Sequence, residues 1–139
     1  MLDSREYSRW LGFARITLES ANGDLERGYY NWACFKAQQA AELAVKALMH
    51  GMGLPAYGRS VSKLLAGLPS KGINVPSEVV ERAKTLDKLY VPTRYPNAWA
   101  EGMPHEYYTL GDARSAMDCA GRIISWVDGT WRYLESAST

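Results

Sequence analysis

Cysteine, histidine and net charge are all scarce in this chain, and each scarcity removes a class of function. The two cysteines, Cys34 and Cys119, lie far apart, each within an apolar helical pattern. With no close pair and no clustered histidines, they offer neither zinc spacing nor a disulfide framework. Buried free thiols in a reducing cytosol account for them. The two histidines, His50 and His105, are isolated, so no metal site and no cofactor is expected. The net charge of +1 gives no global electrostatic case for nucleic acid. No apolar run approaches membrane-spanning length, and no N-terminal charged-then-apolar segment resembles a signal peptide. The expected compartment is the cytoplasm, with no membrane partner. β-branched residues are few and scattered while alanine is abundant, which favours helices. Internal repeats and low-complexity tracts are also missing.

What remains fits one all-α domain covering residues 1–139, an up-and-down bundle of four long helices and one short one. The first helix is expected over 3–22. Tyr7, Trp10, Leu11, Ala14, Leu18 and Ala21 recur at three- and four-residue steps, Asn22-Gly23 ends the helix, and Asp24 caps the next. The second spans about 25–51 and is apolar over more than one face, with Trp32, Phe35, Ala44 and Leu48 among its packing residues. Gln38, Glu42 and Lys46 fall on one line at four-residue steps. They read either as an intrahelical surface pair or as a polar stripe facing a cleft or a second subunit. A short helix follows over 60–68, then a loop over 69–76. A fourth helix is capped by Ser77 and fades at Val91. The segment 91–108 has no helical period, but its aromatic content argues for packing. The last helix opens at a capping-box-like Thr109-Leu110-Gly111-Asp112, holds its period for over six turns and frays from Ser136.

Residues 86–96, from Leu86 to Pro96, concentrate the candidate chemistry. Pro92 and Pro96 stiffen a turn that carries Thr93, Arg94 and Tyr95. An arginine fork matches phosphate oxygens and aromatic rings stack on bases, so Arg94, Tyr95, Tyr90 and Lys88 are candidate nucleotide or RNA contacts. The alternative for Arg94 is a structural ion pair, with Asp87 as a partner. For Tyr90 and Tyr95 it is plain packing, and for Lys84 and Lys88 a solvated face. Charge supports a local effect. Residues 59–94 hold seven Lys/Arg against three acids, net +4, whereas 95–139 hold three arginines against six acids, net −3.

Four stretches in order resemble the HEPN domain, a helical module linked to nucleotides and RNA. They are Gly28-Tyr29-Tyr30-Asn31-Trp32-Ala33-Cys34-Phe35; Gln38 through Leu48, with its Gln-Ala-Ala-Glu and Lys46; Leu86 to Tyr90 running into Thr93-Arg94-Tyr95-Pro96; and Tyr108-Thr109 with Asp112-Ala113. The resemblance implies a helical bundle that dimerises, often as a toxin beside a small nucleotidyltransferase partner. It also implies, for active members, metal-independent RNA cleavage by an arginine and a histidine a few residues apart. The arginine would hold the scissile phosphate, and the histidine would move protons at the 2′-hydroxyl or the leaving oxygen. In this chain ten residues separate Arg94 from His105, and Arg59 fills a position where relatives often carry histidine. Three functions are therefore expected to compete. One is a non-catalytic HEPN subunit that binds a nucleotide, RNA or a nucleotidyltransferase. A second is an endoribonuclease using Arg94 and His105. The third is a purely structural helical dimer.

Overall fold

Helix propensity and apolar period place five α-helices, and no strand, among the residues 1–138 that the computed structural model describes. They are α1 (Ser4–Glu26), α2 (Tyr30–Gly51), α3 (Val61–Ala66), α4 (Ser77–Asp87) and α5 (Leu110–Ala137). α2 is the central member and packs against each of the other four. Ala33, Ala37, Ala40, Ala41, Ala44 and Ala47 are all fully buried, and these small side chains let neighbouring helices approach closely. Gly51 marks the tightest approach. A Cβ there would fall 3.0 Å from Tyr7 Cβ and closer still to the Trp131 ring. Tyr7 and Trp131 stack at 4.2 Å and join the ends of α1 and α5 over that glycine.

Several boundaries differ from the sequence expectation. α1 does not stop at Asn22-Gly23 but runs on to Glu26. A mid-helix glycine costs only about 1 kcal/mol, which burial of the surrounding turn outweighs. Asp24 lies inside that turn, buried and paired with Lys36 at 2.8 Å, and is not the cap of a new helix. Gly28 is the true break: its φ of 83° reverses the chain, and α2 begins only at Tyr30. Ser77 is the first residue of α4, with Pro76 at the cap position, and α4 ends at Asp87, short of Val91. The Pro92 ring would clash with the carbonyl four residues back, at Lys88, so the helix cannot continue. α5 stays helical through Ser136 to Ala137.

The polar line on α2 is not a surface pair. Gln38, Glu42 and Lys46 are all buried. Glu42 accepts from Lys46 at 3.0 Å and from Arg59 at 3.1 Å, and Gln38 donates to the Arg59 carbonyl at 2.9 Å. Lys46 meets Glu42 inside the bundle, and the largely exposed Arg59 closes over the carboxylate from outside.

Asp87 also has a role that spacing conceals. Its carboxylate caps α3, accepting from the Val61 amide at 2.6 Å, the Ser60 hydroxyl at 2.8 Å and both the amide and hydroxyl of Ser62. The last residue of α4 thereby satisfies the free donors of another helix. Asp87→Ala is expected to cost about 2 kcal/mol, the scale of charged hydrogen bonds lost at a helix cap. The check is the midpoint of urea unfolding, where Asp87→Asn should show a smaller drop than Asp87→Ala.

Candidate phosphate-binding cleft

The turn after α4 projects Arg94, and three aromatic rings receive it. Its guanidinium carbon lies 4.3 Å from the Phe35 ring centre, 4.5 Å from Tyr90 and 4.9 Å from Tyr95. Each ring offers its electron-rich face to the cation. Nε donates to the Tyr90 carbonyl at 2.9 Å, which curls the side chain back over the turn. No carboxylate pairs with Arg94 among the described residues, because Asp87 is committed to α3. The ion-pair alternative therefore falls. The four remaining guanidinium N–H groups have no acceptor in the described chain.

Arg94 lines a cleft of about 350 Å³ whose walls also include Asn31, Trp32, Met103 and His105. α2 starts here: Tyr29 stands at its cap position and no side chain caps the helix. The positive end of the α2 dipole and the Arg94 cation thus converge on one concavity, a setting that favours an anion. Three larger concavities carry less. One of about 840 Å³ is an open surface beside residues 3–9, and one of about 490 Å³ runs between α1 and α2, where Glu42 is already paired with Arg59. The third is a groove of about 590 Å³ between residues 72–74 and α5 whose cation, Arg122, is already paired with Glu78.

Of the residues expected to act, the fold brings Arg94 and His105 to the same cleft. His105 is exposed at the rim and has no hydrogen-bond or ion-pair partner among the described residues. Tyr90 and Tyr95 reach the site only through Arg94, as two walls of its aromatic cage. Lys88 is exposed, unpaired and not part of the cleft wall. The Thr93 hydroxyl does not face a ligand: it is fully buried and donates to the Leu89 carbonyl at 2.7 Å. Trp32, expected among the packing residues of α2, is 42% exposed and opens onto the cleft. Asn31 is a lining residue that periodicity did not single out. Its signals were a polar side chain one step from an aromatic at the start of an apolar helix and its place in the first HEPN-like stretch. Cys34, nearby in α2, is fully buried, and burial pushes its thiol up to about 12, so it supplies no thiolate nucleophile near neutral pH.

A family model described as HEPN domain matches residues 7–130, nearly the whole chain. This chain belongs to the HEPN family. Among solved structures it is similar to TT1696 from Thermus thermophilus, with 46% identity, a TM-score of 0.86, and coverage of 88% of this chain and 96% of that one. It is also similar to ST0689, an archaeal HEPN homologue, at 42% identity and a TM-score of 0.76, covering 89% and 96% of the two chains. A HEPN domain protein from Thermotoga maritima matches at 36% identity with a TM-score of 0.72, covering 89% of this chain and 98% of that one. Comparison with curated proteins finds no match.

In this HEPN domain the segment between Arg94 and His105 is an ordered loop, not a slack tether. Two short 3-10 turns, Pro96–Ala98 and Pro104–Glu106, frame it. Trp99 is its anchor. The indole donates to the Pro92 carbonyl at 2.8 Å, stacks on Tyr107 at 4.4 Å and meets Tyr108 edge-on at 5.7 Å. Tyr107 in turn donates its hydroxyl to the Glu101 carbonyl, and the Glu106 carboxylate accepts from the Met103 amide at 2.6 Å. Trp99→Ala is expected to release the loop locally. Removal of one ring stack and one hydrogen bond, about 2 kcal/mol together, implies roughly thirtyfold faster amide exchange across residues 96–107. Hydrogen-exchange mass spectrometry should show that change while α1, α2 and α5 keep their protection.

Proposed function

We propose that this HEPN domain binds a nucleotide or RNA through phosphate contact at Arg94. In this reading it serves in the cytoplasm as a homodimeric component of a HEPN/nucleotidyltransferase toxin–antitoxin pair. The observation that carries the binding reading is the state of the Arg94 guanidinium. It is held in place by three rings and one carbonyl, carries no carboxylate, and belongs to a residue that lines a cleft at a helix N-terminus. An arginine in a structural pair would have spent its N–H groups on protein acceptors; this one keeps four without an acceptor among the described residues. The positive middle of the chain adds to it. Of the seven Lys/Arg in residues 59–94, only Arg59 and Arg82 are ion-paired, which leaves five without a carboxylate among the described residues.

Arg94→Ala is expected to weaken binding of a labelled single-stranded RNA at least tenfold in fluorescence anisotropy. Its salt slope should fall by roughly 0.7, the value for one phosphate no longer neutralised on a single strand. Arg94→Lys should not restore binding, since an ammonium lacks the planar fork and the ring-stacking face. Unchanged affinity in Arg94→Ala would remove this reading. The partner is tested separately, by co-expression and co-purification with a minimal nucleotidyltransferase.

A second reading has its own observation: the loop returns His105 to the cleft that holds Arg94. There the chain acts as an endoribonuclease. The His105 imidazole takes the 2′-hydroxyl proton, O2′ attacks phosphorus, and the P–O5′ bond breaks with a proton returned to O5′. A 2′,3′-cyclic phosphate and a 5′-hydroxyl result. Arg94 offsets the charge gathering on the phosphoryl oxygens. His105→Ala is expected to lower cleavage by about a hundredfold or more, the scale of a missing general base, while leaving RNA affinity near wild type. If the wild-type protein leaves RNA intact, or His105→Ala cuts as well as wild type, the binding reading stands without catalysis.

A further inference from the structure

One buried polar atom in the Arg94 cleft has no partner. Asn31 is only 4% exposed, yet it lines the cleft. Its Nδ2 donates to the Thr93 carbonyl at 3.0 Å. A carbonyl can only accept, so that bond fixes the orientation of the amide and turns Oδ1 away from Thr93. Oδ1 is buried and receives no hydrogen bond from any described residue. Native proteins keep few such atoms, and those they keep call for an explanation. The neighbouring Thr93 hydroxyl is satisfied by the Leu89 carbonyl, so the unmet acceptor is that of Asn31 itself.

The surroundings narrow what could satisfy it. Oδ1 needs a donor, which excludes a phosphate oxygen. Asn31 is bonded to the residue before Arg94, and Phe35, one helical turn further along α2, carries the Arg94 guanidinium on its ring. Asn31 and the ring that carries the cation are therefore one helical turn apart on α2. A ribose 2′-hydroxyl sits only a few bonds from its own 3′-phosphorus, whereas the amino groups of a base lie farther out. The exposed rings of Tyr29 and Trp32 stand beyond Asn31 at the cleft edge, where a base would stack. Met103, 53% exposed, also lines the cleft.

We infer that Asn31 Oδ1 accepts the 2′-hydroxyl of a nucleotide whose phosphate rests on Arg94, so that the cleft selects ribonucleotides over deoxyribonucleotides. The inference rests on the phosphate reading of Arg94, and it adds the sugar to that reading. It makes Asn31 a specificity residue in both the binding and the cleaving version of the site.

The test compares three short single strands of one sequence, with ribose, 2′-deoxyribose and 2′-O-methylribose, by fluorescence anisotropy. The proteins are wild type, Asn31→Ala, Asn31→Asp and Arg94→Ala. Wild type is expected to favour the ribose strand over the deoxy strand by roughly five- to tenfold, the worth of one hydrogen bond. The 2′-O-methyl strand should bind like the deoxy strand, because it keeps the ribose pucker and the oxygen but has no proton to give. Asn31→Ala should bring the ribose-to-deoxy ratio close to one. Asn31→Asp keeps an acceptor but exchanges the amide that donates to the Thr93 carbonyl for a charge, so it should bind all strands more weakly. A wild type without ribose preference overturns the inference, as does a 2′-O-methyl strand that binds like ribose or an Asn31→Ala protein that keeps the full ratio. The wild-type comparison of the three strands decides the matter even if Asn31→Ala fails to fold. Arg94→Ala separates the two levels: if it binds every strand as wild type does, the phosphate reading itself fails; if it weakens all three equally while Asn31→Ala keeps the ratio, only the ribose inference falls.

Discussion

Enclosure of α2 is the constraint on which the rest of this bundle depends. A helix packed against four others must present small residues where backbones come close and must neutralise any charge it buries. The alanines do the first and the Glu42–Lys46–Arg59 cluster does the second. A buried carboxylate beside two cations is weak evidence for added stability, because desolvation offsets much of the attraction. Its effect is geometric. Arg59 lies in the connection between α2 and α3, and tying it to Glu42, with its carbonyl bound by Gln38, fixes where that connection runs. α3 is then in place to receive Asp87, and Asp87 in turn fixes the end of α4, from which Arg94 hangs.

Much of this arrangement was legible in the residues, and what escaped did so for identifiable reasons. Apolar period found every helix, because burial on one face is a local property of sequence. The Thr109–Asp112 capping box was equally local: each side chain bonds the other's backbone three residues away. The errors came where distant contacts overrode local preference. Gly23 reads as a stop, yet the burial of Ala21 and Asp24 carries α1 past it. Gln38, Glu42 and Lys46 look like an exposed i,i+4 line, and only the cover supplied by the rest of the fold shows that they are interior.

The same division applies to the site. Arg94 stood out because prolines on both sides announce a rigid turn, and the aromatic residues near it in sequence supplied two of its three rings. The third, Phe35, comes from α2 and could not be read from the turn. Asp87 seemed a natural partner for Arg94 because the two are close in sequence, but its geometry serves α3. Asn31 and Trp32 were embedded in an apolar helix start, where nothing in their spacing separates a cleft wall from a core. Their role depends on the turn at Gly28, which sets the first residues of α2 opposite Thr93 and Arg94.

The loop pinned by Trp99 separates two quantities that short motifs tie together. When an arginine and a histidine sit on one helical turn, the number of residues between them dictates whether they meet. Here the segment that joins them doubles back on its own indole anchor, so covalent distance and spatial neighbourhood become independent variables. A search for such pairs by spacing alone would pass over chains built this way, whereas a search for a shared cleft at the start of a buried helix would find them.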